Sequence, residues 1–181
     1  MNRLTAVLPA AFAAGLAACA SAPAPAPAIP AALQPAPGQT LLKVVAARGV
    51  QVYECRAKKD AAGTPASTTE WAFVAPEAEL LDAGGQVVGK HYAGPHWEAN
   101  DGSKVLASLK ERADAPQADA IPWLLLNAKS VGPAGSFSKV TSIQRVNTVG
   151  GVAPKSGCSK ANAGAPARVN YTADYYFFAA K

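Results

Sequence analysis

Apolar and polar residues alternate in short runs along most of this chain, and this period of two predicts β-strands. In residues 49–56, one face is formed by Val50, Val52 and Glu54 and the other by Gln51, Tyr53 and Cys55. Further β-rich runs are residues 70–74, 86–92, 96–99, 103–109, 123–128, 137–149 and 170–178. We expect the run 70–74 to end at Pro76, because proline cannot donate to a strand ladder.

Turn signals separate these runs. Asp82-Ala83-Gly84-Gly85 and Asn100-Asp101-Gly102 each predict a hairpin, because glycine readily supplies the positive φ that a tight turn needs. Residues 113–120 are polar, contain Pro116 and predict a loop. Residues 123–128 are apolar on both faces, which fits a buried strand or a short helix, and we favour the strand.

No sustained helical stripe accompanies these strands. The final run, residues 170–178, carries aromatic side chains on both faces, which is typical of a central or barrel strand. The sequence therefore predicts a mainly β fold, with a single antiparallel β-sandwich or closed β-barrel of about seven to nine strands.

The first 19 residues have the layout of an export signal. Asn2 and Arg3 precede an apolar run from Leu4 to Gly15, which is shorter than the roughly 20 residues of a transmembrane helix. Leu16-Ala17-Ala18-Cys19 resembles the lipobox of bacterial lipoproteins. That resemblance implies lipid on Cys19, and Ala20 after it implies the outer membrane, facing the periplasm. The alternative is a secretory signal cut near Ala18-Cys19-Ala20.

The chain is expected to divide into three parts. Residues 1–18 form the signal peptide, residues 19–39 the lipidated cysteine with an Ala/Pro-rich spacer, and residues 40–181 one β domain. The spacer is expected to be extended and unpacked, because its prolines fix φ and restrict each preceding residue.

Charge and cysteine content narrow the possible partners. Lys and Arg number 17 against 12 Asp and Glu, giving a formal net charge of +5 with no Arg-rich run, so we expect no nucleic-acid partner. Cys55 and Cys158 remain once Cys19 is lipidated, and in an oxidising compartment we expect them to form a disulfide. Free thiols or a redox site are the alternatives.

Several motifs together resemble one protein family. They are residues 49–55 (GVQVYEC), 89–98 (GKHYAGPHWE), 101–103 (DGS), 121–126 (IPWLLL) and 140–151 (VTSIQRVNTVGG). On these the chain is identified as a member of the domain-of-unknown-function 3455 family, over Leu41 to Ala180. The resemblance implies an exported protein and no established activity, cofactor or catalytic residue. His96 departs from the family pattern, in which threonine is usual.

Candidate chemistry is sparse. We find no nucleophile elbow, dinucleotide fingerprint or phosphate loop, and we expect no cofactor, no metal and no assigned catalytic residue. Polar and aromatic side chains nevertheless suit a ligand site, because flat rings bury large areas and offer polar tips. The candidate ligand-binding residues are His91, Trp97, Glu98, Asp101, Trp123, Gln144, Arg145 and Asn147. Other aromatics that could line a pocket are Trp71, Tyr171, Tyr175, Tyr176, Phe177 and Phe178.

Three functions compete at this point. The first is a non-enzymatic envelope lipoprotein that binds a small molecule, a glycan or an envelope protein. The second is a hydrolase-type enzyme that uses His91, Glu98 and Asp101, and it requires these side chains to converge. The third is a purely structural envelope protein. The oligomeric state does not follow from the sequence.

Overall fold

The computed structural model describes residues 28–181, so the predicted export signal, Cys19 and the first part of the spacer lie outside the described residues. Eight strands follow one another within these described residues. They are β1 (Gln39–Lys59), β2 (Pro65–Leu81), β3 (Val87–Tyr92), β4 (His96–Ala99), β5 (Lys104–Ala113), β6 (Trp123–Ser130), β7 (Ser142–Gly150) and β8 (Pro166–Ala180).

These strands form one closed antiparallel barrel. Each strand pairs with the next, and β1 also pairs with β8 from Gln39↔Ala180 to Glu54↔Pro166, which closes the ring. The mainly β prediction is confirmed. Of the two predicted architectures, a sandwich and a closed barrel, the structure has the closed barrel. In the part of the chain that the structure describes, no helix is both long and apolar enough to cross a bilayer.

The interior of the barrel, its lumen, is filled by alternate residues of every strand. On β1, Val45, Ala47, Gln51 and Tyr53 are buried, whereas Arg48 is exposed. Gly49 also belongs to the inward set, and a Cβ there would lie 2.1 Å from the Glu77 carbonyl oxygen. Glycine therefore permits the close approach of β1 and β2 that tight curvature requires.

One end of the barrel is plugged by residues 131–141, which we call the plug loop. The Phe137 and Val140 side chains are buried in the main core, and Phe137 stacks on Phe177 with ring centroids 4.6 Å apart. The prediction that residues 137–149 form one strand is therefore wrong for residues 137–141. Their apolar side chains fill the lumen end instead, and β7 begins at Ser142.

The other end of the barrel is a mouth, bordered by β2 and the β3–β4 turn. Val74 is an extra residue in β2, because Val52 pairs with Ala75 and Tyr53 with Phe73. Such a bulge re-aims neighbouring side chains. The prediction that the strand ends at Pro76 is wrong: Pro76 lies inside β2, where β2 pairs with β1 alone and β3 has not yet joined.

The outer wall carries a second, smaller core. The segment from Ile29 to the 3₁₀ turn Ala31–Leu33 packs over Trp123, Leu125 and Val146. The first half of β6 is consequently covered on both faces, and the strand interpretation of residues 123–128 is confirmed. The expectation of an unpacked spacer is wrong for this segment, because Leu33 is fully buried on the barrel.

A disulfide joins Cys55 of β1 to Cys158 of the β7–β8 loop, as expected from the cysteine count. The bond links positions 103 residues apart in the sequence. It restrains the loop beside the mouth, where the Thr69 hydroxyl also donates to the Cys158 carbonyl at 3.1 Å.

Removing this disulfide should lower stability without changing the fold. In the chain-entropy account, a cross-link across about 100 residues stabilises by up to about 4.7 kcal/mol. We expect the double variant Cys55→Ala/Cys158→Ala to have a lower urea midpoint than the oxidised wild type. Dithiothreitol should lower the midpoint of the wild type and leave that of the variant unchanged. A double variant as stable as the oxidised wild type would contradict this.

Candidate functional site

A cavity of about 370 Å³ opens at the mouth of the barrel, and we call it the lumen pocket. Apolar side chains form most of its walls, and several polar ones lie at its floor. The walls are formed by Phe73, Val74, Pro76, Ala93, Gly94, Pro95, Leu124 and Leu126, and the other lining residues are Gln51, His91, Trp97, Arg145 and Tyr175. An apolar cleft of this size with a few convergent polar groups is the usual form of a small-molecule site.

Arg145 is the charged side chain of the lumen pocket. Strand register places it beside Leu124 of β6 and Tyr175 of β8, so these three side chains point into the lumen together. The Arg145 Nε and Nη2 groups both donate to the Pro122 carbonyl, at 3.2 and 2.8 Å. In residues 28–181, no carboxylate forms an ion pair with this guanidinium.

His91 is held in a single neutral form. Burial lowers the pKa of its ring to about 3, and the nearby Arg145 charge acts in the same direction. The His91 Nδ1–H donates to the His96 carbonyl at 2.8 Å, which leaves Nε2 unprotonated. The ring also stacks on Trp97, with centroids 4.0 Å apart, so its orientation is fixed.

Several buried polar atoms at or beside the floor make no hydrogen bond of ordinary length within the described residues. They are the Gln51 amide nitrogen, the Trp97 Nε1 and the Tyr175 hydroxyl of the pocket lining, and the Tyr171 hydroxyl, which lies outside that lining. Tyr171 interacts at longer range with Gln51 and Tyr175, and Tyr175 with Arg145. Burial raises the pKa of both tyrosines, so their hydroxyls stay protonated. A buried unpaired polar group costs about 1–3 kcal/mol, and such groups concentrate where function requires them.

A larger concavity, of about 680 Å³, lies on the outer wall of the barrel and is less suited to a ligand. It is an open groove between β1, β2 and β8. Its charged side chains already pair with each other, Arg48 with Glu79 at 3.1 Å and Arg168 with Glu77 at 2.6 Å. No charge in this groove is left to recognise a ligand.

The structure brings three of the candidate ligand-binding residues together. His91, Trp97 and Arg145 all line the lumen pocket. Glu98 lies on the outer wall instead, because it follows the inward Trp97 on β4 and successive strand residues face opposite sides. There it accepts a 2.5 Å hydrogen bond from Tyr92 and pairs with Lys104 at 3.0 Å.

Three further candidates also lie outside the lumen. Trp123 is buried beneath the N-terminal segment, and Gln144 donates to the Leu33 carbonyl of that segment at 2.6 Å. Asn147 sits in a bulge of β7 with a φ of 52° and donates to Asp174 at 2.8 Å. These polar side chains are therefore explained by packing and bulge geometry.

Asp101 anchors the plug loop at the far end of the barrel. One carboxylate oxygen accepts from the Ser103 amide and hydroxyl, and the other accepts from the Ser136 amide and hydroxyl, at 2.6 to 2.9 Å. The Ser103 hydroxyl in turn accepts from the Phe137 amide at 3.0 Å. These hydrogen bonds hold the pKa of Asp101 well below its usual range.

His91, Glu98 and Asp101 consequently do not form one site. They lie in the lumen, on the outer wall and at the plugged end, respectively. Within residues 28–181, no three His, Cys, Asp or Glu side chains converge as metal ligands would.

Gln51 is the site residue that sequence reasoning missed. It lies on the lumen face with Tyr53 and Cys55, and it is almost fully buried. A neutral polar residue between apolar neighbours on one strand face was the available signal. The rim residues Phe73 and Val74 were not identifiable, because a β-bulge places them there.

Comparison with known proteins yields a family but no activity. A family model described as a protein of unknown function (DUF3455) matches residues 35–179. No curated protein and no solved structure matches the chain.

The Glu98 cluster should contribute pH-dependent stability. The Tyr92 hydroxyl and the Lys104 ammonium lower the pKa of Glu98 from its ordinary 4.5 to about 2. A lowered folded-state pKa stabilises the fold above pH 4.5, and this contribution is lost as the pH falls toward 2. We expect Glu98→Gln to reduce the change of the urea midpoint between pH 2 and pH 4.5. Tyr92→Phe should reduce this change by a smaller amount. An unchanged profile in both variants would contradict this assignment.

Proposed function

This chain belongs to the DUF3455 family, whose members have no established function, and we propose from its geometry that it is a non-enzymatic binding protein for a small molecule. The lumen pocket is the proposed binding site. The observation that carries the proposal is the meeting, in one cavity, of apolar walls and a guanidinium that has no ion-pair partner within residues 28–181.

The shape of the lumen pocket favours a small molecule over a glycan or an envelope protein as the ligand. A volume of about 370 Å³ is near the lower end of the range for small-molecule pockets. A glycan chain would need a longer open groove, and a protein partner would need a broad exposed face. The rigid β scaffold supports binding without large rearrangement, because inward side chains lie on paired strands.

Binding without turnover is the simpler interpretation of the pocket chemistry. An acid–base reaction needs groups that exchange protons near the operating pH. His91 remains neutral over the physiological range, and the pocket lining contains no Asp or Glu. The side chains of the pocket can therefore hold and orient a ligand.

A pocket-filling substitution tests the proposal. We expect Leu124→Trp to occupy the mouth of the lumen pocket and to weaken binding of 2-naphthol, a neutral aromatic probe, about tenfold or more. Leu106→Trp, on the outer face of β5 opposite the exposed Lys129, serves as the matched control. Isothermal titration calorimetry gives both affinities.

Small molecules released from the purified full-length protein provide the second readout. Mass spectrometry should detect a species with the wild type and the Leu106→Trp control that is depleted in Leu124→Trp. Equal binding of 2-naphthol by both tryptophan variants would overturn the proposal, as would a wild type that binds neither 2-naphthol nor 2-naphthoate, octanoate and their amides.

We further propose that the protein is a lipoprotein of the bacterial cell envelope, anchored through Cys19 to the outer membrane and facing the periplasm. The lipobox-like residues 16–19 and the Ala/Pro-rich spacer after them support this. Multiple acyl chains would make the anchoring durable, since each buried methylene adds about 0.8 kcal/mol of membrane affinity.

Lipidation is tested by labelling. We expect the full-length wild type to incorporate radiolabelled palmitate and Cys19→Ala to incorporate none. Globomycin, which blocks the lipoprotein signal peptidase, should make the wild-type precursor accumulate. An unlabelled wild type with globomycin-insensitive processing would support the secretory alternative instead.

A further inference from the structure

The floor of the lumen pocket has an excess of hydrogen-bond donors and of positive charge. Arg145 brings a full charge, and no acidic side chain among residues 28–181 lines the cavity. The nearest ring that could add a second charge, His91, stays neutral because burial lowers its pKa. A guanidinium in a partly buried site without a carboxylate is costly unless an anion joins it.

The uncharged groups at the floor point to the same kind of ligand atom. The Gln51 nitrogen, the Trp97 Nε1 and the Tyr175 hydroxyl can each donate, and none makes a hydrogen bond of ordinary length to residues 28–181. These three atoms are almost fully enclosed, so a ligand reaches them after a small side-chain movement. Acceptors in the same lining are the unprotonated His91 Nε2 and the Gln51 amide oxygen. The floor thus matches a ligand group that accepts several hydrogen bonds and carries negative charge.

The walls limit how much charge that group can bring. Phe73, Val74 and Leu124 line the same cavity as Arg145, and Leu124 is its cross-strand neighbour, so the surroundings favour an apolar ligand body. One guanidinium neutralises one negative charge. A phosphate dianion would bring a second charge that no lysine or other arginine of the pocket lining neutralises.

We propose that the ligands of the lumen pocket are small carboxylic acids with an apolar body, bound as monoanions with the carboxylate at Arg145. This inference rests on the proposed binding function and adds the chemical class. At about 30 Å³ per non-hydrogen atom, the share of one water molecule in the liquid, the cavity holds roughly a dozen such atoms. Medium-chain and bicyclic aromatic carboxylates fit this size.

The experiment compares each acid with its own amide, which has nearly the same shape and no charge. The probes are 2-naphthoate with 2-naphthamide and octanoate with octanamide, so that aromatic and alkyl bodies are distinguished. We expect the wild type to bind at least one of the acids about tenfold more tightly than its amide, because hydrogen bonds to charged groups are the stronger ones.

Variants of Arg145 test whether this residue is the source of the preference. We expect Arg145→Met to bind acid and amide with equal affinity, and Arg145→Lys to restore part of the preference. Arg48→Met removes an arginine from the outer wall and should leave the preference unchanged. Near-ultraviolet circular dichroism checks that each variant is folded.

A second measurement avoids the variants, in case Arg145→Met does not fold. At saturation, the NMR resonance of the Arg145 Nε–H in the wild type should move farther with the bound acid than with its amide, and equal shifts would overturn the placement of the carboxylate at Arg145.

The outcomes separate the two proposals. Equal affinity for acid and amide in the wild type overturns the ligand class and leaves the binding function intact. Binding of 2-naphthol with no binding of either acid likewise overturns the ligand class and leaves the binding function intact. Failure of 2-naphthol, both acids and both amides to bind overturns both proposals.

Discussion

The pairing of β1 with β8 is the constraint on which the rest of this structure depends. Closure gives eight strands a single interior, so the inward side chains of all strands must share one space. That space is filled at one end by Phe137 and Val140 of the plug loop. At the other end a bulge in β2 and the β3–β4 turn leave the cavity that we interpret as a binding site.

The composition of this cavity differs from what stability alone would select. Filling the lumen with apolar side chains would avoid the cost of unpaired donors, about 1–3 kcal/mol for each group. The chain instead places Gln51, Tyr175 and Arg145 at the floor, and no partner among the described residues pairs their donors fully. Local departures from the rules of stable packing are typical of functional sites.

Many polar residues outside the lumen have structural roles. Asp101 ties the plug loop to the β4–β5 turn, and Gln144 ties the N-terminal segment to β7. Glu98 gathers Tyr92 and Lys104 on the outer wall. These three groups are well partnered, in contrast to the Gln51 and Trp97 donors of the pocket. The Trp123 Nε1, which lies outside the lumen, also lacks a partner among the described residues.

Alternation along the strands and glycine in the turns determined much of the fold from sequence alone. Residues 49–56, 96–99 and 123–128 are strands as predicted, and the cysteine count predicted the disulfide. These features are local, or depend on composition, and need no knowledge of distant neighbours.

Tertiary structure decided which face of each strand is inward. Gln144, Arg145 and Asn147 illustrate this: one lies under the N-terminal segment, one in the lumen and one in a bulge. Closure and bulges set those directions, because they depend on how strands far apart in sequence pair with one another.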